Sequence, residues 1–165
     1  MYRIAILGCE NSHANTFLDY VIGRENVQKK YSDIEVVGVF SEDAAAMEKL
    51  HDTYGVSTVD SYDAFVGKVD GIIVTARHGD NHLKYAKPYL ELGIPMFIDK
   101  PITVSEADAL ELREALVKNN IKVSGGSVCK YPDLIGELAK AVKEESYGKV
   151  YGGMLRAPVS IDNPY

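Results

Sequence analysis

The hydrophobic positions of this chain fall into short apolar runs that are separated by longer amphipathic stretches. Most of the runs are apolar without alternation, which is typical of parallel strands buried on both faces of a sheet. The pattern predicts strands at residues 2–7, 35–40, 57–59, 71–75, 95–98 and 122–124, with one more at 149–155.

Each intervening stretch repeats apolar residues three or four positions apart, as in an amphipathic helix. These positions are Ala14, Phe17, Leu18 and Val21; Met47, Leu50 and Tyr54; Leu83, Ala86 and Leu90; Ala109, Leu112 and Leu116; and Ile135, Leu138 and Val142. Ser105, with Asp108 three residues later, predicts a helix start, and Pro88 predicts a kink or a delayed start in its helix. The alternation of strands and helices predicts an α/β fold with a doubly wound parallel sheet.

Length and charge narrow the classes of partner. A chain of 165 residues can bury the full hydrophobic core of one domain. Its formal net charge is −6, and its longest run of cations is Lys29-Lys30, so it lacks the basic stripe of a nucleic-acid-binding protein. No stretch approaches the about 20 apolar residues that span a bilayer, and the first apolar run is too short for a signal peptide. We expect neither a nucleic-acid nor a membrane partner.

The two cysteines indicate a compartment. Cys9 and Cys129 are far apart in the sequence and form no C-x-x-C motif. Such usage is typical of free thiols in a reducing environment. The sequence therefore predicts a cytoplasmic protein without a disulfide framework.

The loop after the first predicted strand is the first candidate ligand site. A dinucleotide fingerprint has the form G-x-G-x-x-G, because glycines let the backbone approach a pyrophosphate at the next helix N-terminus. Gly8 fits the first position, whereas Glu10 and His13 occupy the second and third. Two interpretations stay open. Either the loop binds a nucleotide, which Glu10 weakens by repulsion unless it is paired, or Gly8 only permits a tight turn and Asn11 or Ser12 caps the helix.

The end of the second predicted strand bears on the choice of cofactor. An acid at this position usually binds the ribose hydroxyls of the adenosine. Here Ser41 occupies the position, and Glu42 follows one residue late. The choice between NAD and NADP therefore stays open, and in the alternative interpretation Ser41 or Asp43 simply caps the next helix.

Further polar residues follow the predicted strand at 71–75. His78, Asp80 and His82 are of metal-ligand types, but no further cysteine or carboxylate cluster joins them, so no metal site is predicted. We expect Asp80 or Asn81 to cap the next helix, with Arg77 and His78 facing the cleft. Arg77 would pair with a phosphate or a substrate carboxylate, unless it forms a surface salt bridge.

The most informative segment is Asp99-Lys100-Pro101, directly after an apolar run. In an open α/β sheet, ligands bind just beyond the carboxyl ends of the strands. A lysine at that place can stabilise the alkoxide that develops when a hydroxyl group loses hydride to a nicotinamide. Lys100 is therefore the candidate catalytic residue, and the alternative is a structural lysine paired with Asp99.

Together these motifs resemble the Gfo/Idh/MocA family, the relatives of glucose–fructose oxidoreductase and inositol dehydrogenase. After a glycine turn, that family has a loop ending in His, a helix closing in Ala/Glu-x-Gly, then Glu-Lys-Pro and Arg-x-x-Pro. The matching residues here are His82, Glu91-Leu92-Gly93, Asp99-Lys100-Pro101 and Lys130-Tyr131-Pro132, and the resemblance covers residues 2–155. It implies a Rossmann domain that binds NAD or NADP through Gly8, Glu10, Asn11, Ser12, His13, Ser41, Glu42, Arg77, His78, His82, Asp99 and Lys100.

The resemblance also implies an activity, the oxidation or reduction of a sugar, polyol or related hydroxy compound by hydride transfer. It places the Rossmann domain at residues 1–148 and the start of a second, substrate-binding domain at 149–165. This sequence would then be part of a longer enzyme, unless it is an unusually short member. We expect a homo-oligomer assembled through that second domain and no turnover by residues 1–165 alone.

Two alternatives to this activity stay open. One is a non-catalytic Rossmann-like module that has lost the dinucleotide and binds another small ligand or a partner. The other is a glycosidase or dehydratase, since some members of the family use the same hydride step transiently.

Overall fold

A computed structural model of the chain describes residues 1–127 and 133–154. Two compact units are present, Met1–Gly126 and Ser127–Tyr165. The boundary predicted between residues 148 and 149 stays a prediction. Within the described residues, no helix is both long enough and apolar enough to cross a bilayer.

The described part of the first unit contains a sheet of five parallel strands. These are β1 (Tyr2–Leu7), β2 (Ile34–Phe40), β3 (Gly71–Val74), β4 (Met96–Ile98) and β5 (Val123–Gly125). Their order in the sheet is β2-β1-β3-β4-β5, and every neighbouring pair is parallel. The predicted doubly wound parallel sheet is confirmed, and the ends of these five strands differ from the predicted ones by at most one residue.

Two predicted strands differ from the structure. At 57–59 only a single parallel bridge forms, between Val39 and Thr58, because the chain bends at Asp60 and continues through turns. This bridge lies beside β2, where the third strand of a 3-2-1-4-5-6 Rossmann sheet would lie. The strand predicted at 149–155 is absent over residues 149–154, which pair with no other described strand, and Leu155 lies outside the described residues.

Helices connect the strands as the apolar periodicity predicts. They are α1 (Ser12–Val21), α2 (Ala44–Tyr54), α3 (Asp80–Ala86), a 3-10 helix (Lys87–Leu92), α4 (Glu106–Lys118) and α5 (Asp133–Lys143). The irregularity predicted at Pro88 takes the form of a change of helix type, since α3 ends at Ala86 and Pro88 lies at the start of the 3-10 helix. A proline without an N–H group fits that first turn and could not continue α3.

The core has two parts, one on each face of the sheet. On one face, side chains of β1 and β2 such as Ile6 and Val39 pack with Leu18 of α1 and Leu50 of α2. On the other, side chains of β1, β3 and β4 pack with α3, the 3-10 helix and Leu112 of α4. The connections therefore leave the adjacent strands β1 and β3 toward opposite faces, and a crevice opens where two such strands end.

The helix start predicted at Ser105 provides a local test of the fold. Ser105 is the N-cap of α4, and its hydroxyl oxygen accepts a hydrogen bond from the Asp108 N–H at 3.1 Å. Ser105→Ala should lower the free energy of unfolding by about 1 kcal/mol, because that N–H loses its acceptor. Urea denaturation measures the change, and Ser105→Asp, which retains an acceptor, should lose less. Equal losses in the two variants would contradict the capping role.

Candidate functional site

The loops that follow β1, β2 and β3 meet at the carboxyl edge of the sheet. The Gly8 N–H donates to the Phe40 carbonyl at 2.7 Å, and the Thr75 hydroxyl donates to the Gly8 carbonyl at 2.8 Å. Gly8 has a φ of +81°, and a Cβ atom there would lie 2.3 Å from the Ala76 Cα atom. The first position of the predicted turn therefore requires glycine for both its conformation and its packing.

Asn11 fixes the start of α1. It is the N-cap, and its Oδ1 atom accepts a hydrogen bond from the His13 N–H at 2.8 Å. Its Nδ2 atom donates to the carbonyl of Thr75, which follows β3. Of the two residues predicted to cap this helix, Asn11 does so, while Ser12 lines an adjacent groove. The α1 N-terminus is thereby held beside the end of β3.

The carboxylate of Glu10 is held by two neighbouring loops. Its Oε2 atom accepts a hydrogen bond from the Ser41 hydroxyl at 2.8 Å, and its Oε1 atom accepts one from the Arg77 N–H at 2.7 Å. The Arg77 guanidinium donates in turn to the Glu10 carbonyl at 3.2 Å. Three predicted site residues are thus brought into direct contact, and the negative charge of Glu10 is hydrogen-bonded.

His13 reaches across the crevice to the loop after β4. Its Nδ1 atom contacts the Oδ2 atom of Asp99, whose side chain is 8% exposed, while the His13 side chain is 41% exposed. The Asp99 backbone N–H donates to the Val74 carbonyl at 2.9 Å, so the acid is held from both sides. The predicted alternative in which Asp99 pairs with Lys100 is therefore wrong.

Lys100 is half-buried at the carboxyl end of β4. Its ammonium forms neither a hydrogen bond nor an ion pair with any residue in the described part of the chain. The peptide bond that joins it to Pro101 is cis. A cation in this position, without a protein partner in that part, is free to meet a ligand oxygen.

A groove of about 270 Å³ lies beside the β1 turn. Its lining includes Glu10 and Arg77 together with Asn15 of α1 and Lys49 of α2. Sequence reasoning missed Asn15, Lys49 and the buried Thr75, because nothing in a single sequence distinguishes them from ordinary helix and strand residues. A larger depression of about 510 Å³ beside α3 and α4 lies away from the strand ends, and we do not assign the site there.

The remaining predicted site residues are not part of the cluster formed by Glu10, Ser41 and Arg77. Glu42 turns to Lys84, with an Nζ to Oε1 distance of 2.7 Å, and His78 is exposed. His82 is fully buried, and its Nε2–H donates to the Ala76 carbonyl at 2.8 Å, so contact with a cofactor would require it to leave the core. The cap predicted at Asp80 or Asn81 is wrong, because Gly79 precedes α3 and makes no side-chain capping bond.

Neither a metal-binding cluster nor a reactive thiol is found among the described residues. No group of three metal-binding side chains comes together in residues 1–127 and 133–154. Burial raises the pKa of the Cys9 thiol to about 12, and the neighbouring Glu10 carboxylate acts in the same direction. This thiol is therefore protonated near neutral pH and is not a nucleophile. Lys130, Tyr131 and Pro132, like Cys129, lie outside the described residues.

The model of one protein family matches residues 2–127, a family described as oxidoreductases with an NAD-binding Rossmann fold. The chain belongs to the Gfo/Idh/MocA family. Among curated proteins, it is 23% identical over 116 residues to a protein of Amycolatopsis mediterranei that is named as a UDP-kanosamine synthase oxidoreductase subunit. That match covers 70% of this chain and 32% of the relative.

Solved structures of other proteins share the fold of this Gfo/Idh/MocA chain. One is myo-inositol 2-dehydrogenase from Lactobacillus plantarum, with a TM-score of 0.75 at 19% identity over 90% of this chain and 43% of that one. Another is the WlbA dehydrogenase from Bordetella pertussis in complex with NADH and UDP-GlcNAcA, with a TM-score of 0.75 at 14% identity. This match covers 91% of this chain and 44% of the WlbA chain. The chain thus spans less than half the length of these relatives.

The residues at the crevice fit the dinucleotide of a Gfo/Idh/MocA protein. Gly8 permits the tight turn, and α1 begins directly beyond it, where backbone N–H groups can meet a pyrophosphate. The carboxylate that stands in the second glycine position accepts hydrogen bonds from the Ser41 hydroxyl and the Arg77 backbone N–H, which fix its position beside the turn. Lys100 supplies a cation at the end of β4.

Proposed function

We propose that the full-length protein is an NAD(P)-dependent oxidoreductase that acts by hydride transfer on a sugar, polyol or related hydroxy compound. The observation that carries the proposal is Lys100, a half-buried ammonium at the carboxyl end of β4 without a partner in the described residues. The relatives support the substrate class, since one is named for myo-inositol and another was solved with NADH and a UDP-sugar.

Each residue has a distinct part in this proposal. When bound, the nicotinamide would accept or supply the hydride. The Lys100 ammonium would hold the reacting oxygen of the substrate and stabilise the negative charge that develops on it. The N-terminus of α1, capped by Asn11, would face the pyrophosphate, while Glu10, Ser41 and Arg77 would contact the adenosine half.

The proposal extends to parts of the protein that this chain does not cover. A substrate domain that begins within 149–165 would hold the hydroxyl against the nicotinamide, since hydride transfer needs that geometry. Assembly as a homo-oligomer would use the same domain. A cytoplasmic location is part of the same proposal and rests on the cysteine usage of the sequence, which is typical of a reducing compartment.

Calorimetric titration of the full-length protein with NAD and with NADP is the first test. We expect at least one of them to bind below millimolar concentration, and we expect sugars or polyols to be oxidised with a rise in reduced-nicotinamide absorbance. Residues 1–165 alone should show no turnover. The proposal fails if neither dinucleotide binds the full-length protein at millimolar concentration.

One observation favours a second candidate, a Rossmann-like module that has lost its dinucleotide. The Glu10 carboxylate bridges the loops after β2 and β3 and so lies over the turn that a pyrophosphate would approach. In the module, this bridge would exclude the dinucleotide rather than help to bind it. The same titration distinguishes the two candidates, because the module would bind neither NAD nor NADP.

A further inference from the structure

The end of β2 lacks an acid of its own, yet a carboxylate is present there. In a Rossmann domain, an acid at the end of this strand accepts hydrogen bonds from the ribose hydroxyls of the adenosine. Ser41 occupies that position, is 3% exposed, and donates its hydroxyl to Glu10 Oε2 at 2.8 Å. The carboxylate beside the end of β2 therefore comes from the turn after β1.

The two other acids near this strand end are engaged elsewhere. Asp43 caps α2, with its Oδ1 atom accepting the Ala46 N–H at 3.1 Å. Glu42 pairs with Lys84, whose ammonium also lies over the rings of Tyr62 and Tyr85. Neither forms a hydrogen bond with Ser41 through its carboxylate, so Glu10 is the acid in the described structure that could take over the ribose contact.

The position of the Glu10 carboxylate is set from two directions. Ser41 holds one oxygen and the Arg77 N–H holds the other at 2.7 Å. A carboxylate has about four lone-pair positions, so acceptor capacity remains on both oxygens after these bonds form. A vicinal diol could use that remaining capacity, whereas a phosphate on the same ribose would bring negative charge against the carboxylate.

We propose that Glu10 replaces the missing acid of β2, binds the adenosine ribose diol and selects NAD over NADP. The inference rests on the proposed function and goes further by naming the cofactor and the residue that selects it. It also accounts for two departures from the usual pattern together, since the acid absent at Ser41 reappears in the second glycine position. Two cations, Lys49 and Arg77, line the adjacent groove. The Arg77 guanidinium donates to the Glu10 carbonyl, and neither cation is assigned a contact with a 2′-phosphate.

Calorimetric titration of the full-length protein and its variants with NAD and NADP tests the inference. The wild type should bind NAD at least about tenfold more tightly than NADP, in line with the strength of hydrogen bonds to a charged group. Glu10→Gln keeps the size of the side chain but removes its charge, and it should reduce that preference about tenfold by weakening NAD and strengthening NADP. Glu114→Gln is the matched control, because Glu114 is exposed on α4 and lines neither the β1 turn nor the adjacent groove, and it should leave the preference unchanged.

Each outcome separates the inference from the proposed function. Equal binding of the two dinucleotides by the wild type, or an unchanged preference in Glu10→Gln, overturns the inference alone. A parallel rise in affinity for both in Glu10→Gln shows that the carboxylate obstructs the site, and this also overturns it. Failure of wild type and variant alike to bind either dinucleotide overturns the proposed function and the inference with it.

A second variant, Glu10→Asp, covers the case in which Glu10→Gln does not fold. It should show a weaker preference for NAD than the wild type, because its shorter side chain reaches less far toward the ribose.

Discussion

If the proposed activity is right, Lys100→Met is expected to lower the kcat of the full-length protein about 10²–10³-fold, the usual effect of removing one preorganised donor from a reacting oxygen. Methionine keeps the length and apolar stem of the side chain but cannot carry a positive charge. Because Lys100 has no hydrogen-bond or ion-pair partner among the described residues, the substitution breaks no bond of the folded chain there. The loss should therefore appear in catalysis and not in stability.

The control for this experiment is Lys118→Met at the exposed end of α4. Loss of a surface lysine changes the free energy of unfolding by less than about 0.5 kcal/mol and should leave kcat unaltered. Steady-state kinetics should show the fall for Lys100→Met mainly in kcat, with a smaller change in KM, since the charge on the oxygen develops during the reaction. Near-normal kcat with unchanged substrate affinity would make Lys100 structural and remove the main support for the proposed activity.

The fold could be predicted from the sequence because its strands are continuous apolar runs and its helices have regular apolar faces. The runs at 2–7 and 71–75 leave little choice but central parallel strands, and β1 and β3 are found there. The run at 57–59, Ser-Thr-Val, has only one apolar residue and forms a single bridge before the chain bends at Asp60. A pattern of residue types indicates which segments can be strands and does not say how many ladder bonds each will form.

The sequence indicated where the candidate site lies but not which of its side chains contact one another. Strand ends at 8, 41, 75 and 99 had to lie at one edge of a parallel sheet, and they do. The contact between Glu10 and Ser41 joins residues 31 positions apart and depends on side-chain conformation, which periodicity does not encode. The one available signal in the sequence was a pair of departures from the usual pattern. An acid, Glu10, stands where a glycine is usual, and Ser41 stands where an acid is usual, at two turns that lie side by side. His82 illustrates the reverse case, because a polar residue expected to contact the cofactor proved to be part of the core.

Gly8→Ala is expected to have the largest effect on stability, a loss of about 2–6 kcal/mol in the free energy of unfolding. Two separate terms contribute. The backbone at Gly8 has a φ of +81°, which an alanine adopts only with strain, and the added Cβ atom would lie 2.3 Å from the Ala76 Cα atom. The Ala76 Cα atom belongs to the backbone of the loop after β3, so it cannot rotate aside as the end of a flexible side chain could. The β1 turn would have to move away from β3, and the affinity for a dinucleotide should fall with it.

Gly55→Ala separates the two terms, because Gly55 has a φ of +68° and open space where a Cβ atom would lie. This variant should lose only the conformational part, and Gly8→Ala should exceed it by about 1–3 kcal/mol, the usual penalty for overpacking. Urea denaturation followed by circular dichroism measures both variants under the same conditions. Equal losses would mean that the turn relaxes around the new methyl group. In that case Gly8 would be required for its backbone angle alone, and the close packing of the β1 turn on the β3 loop would not hold the crevice in place.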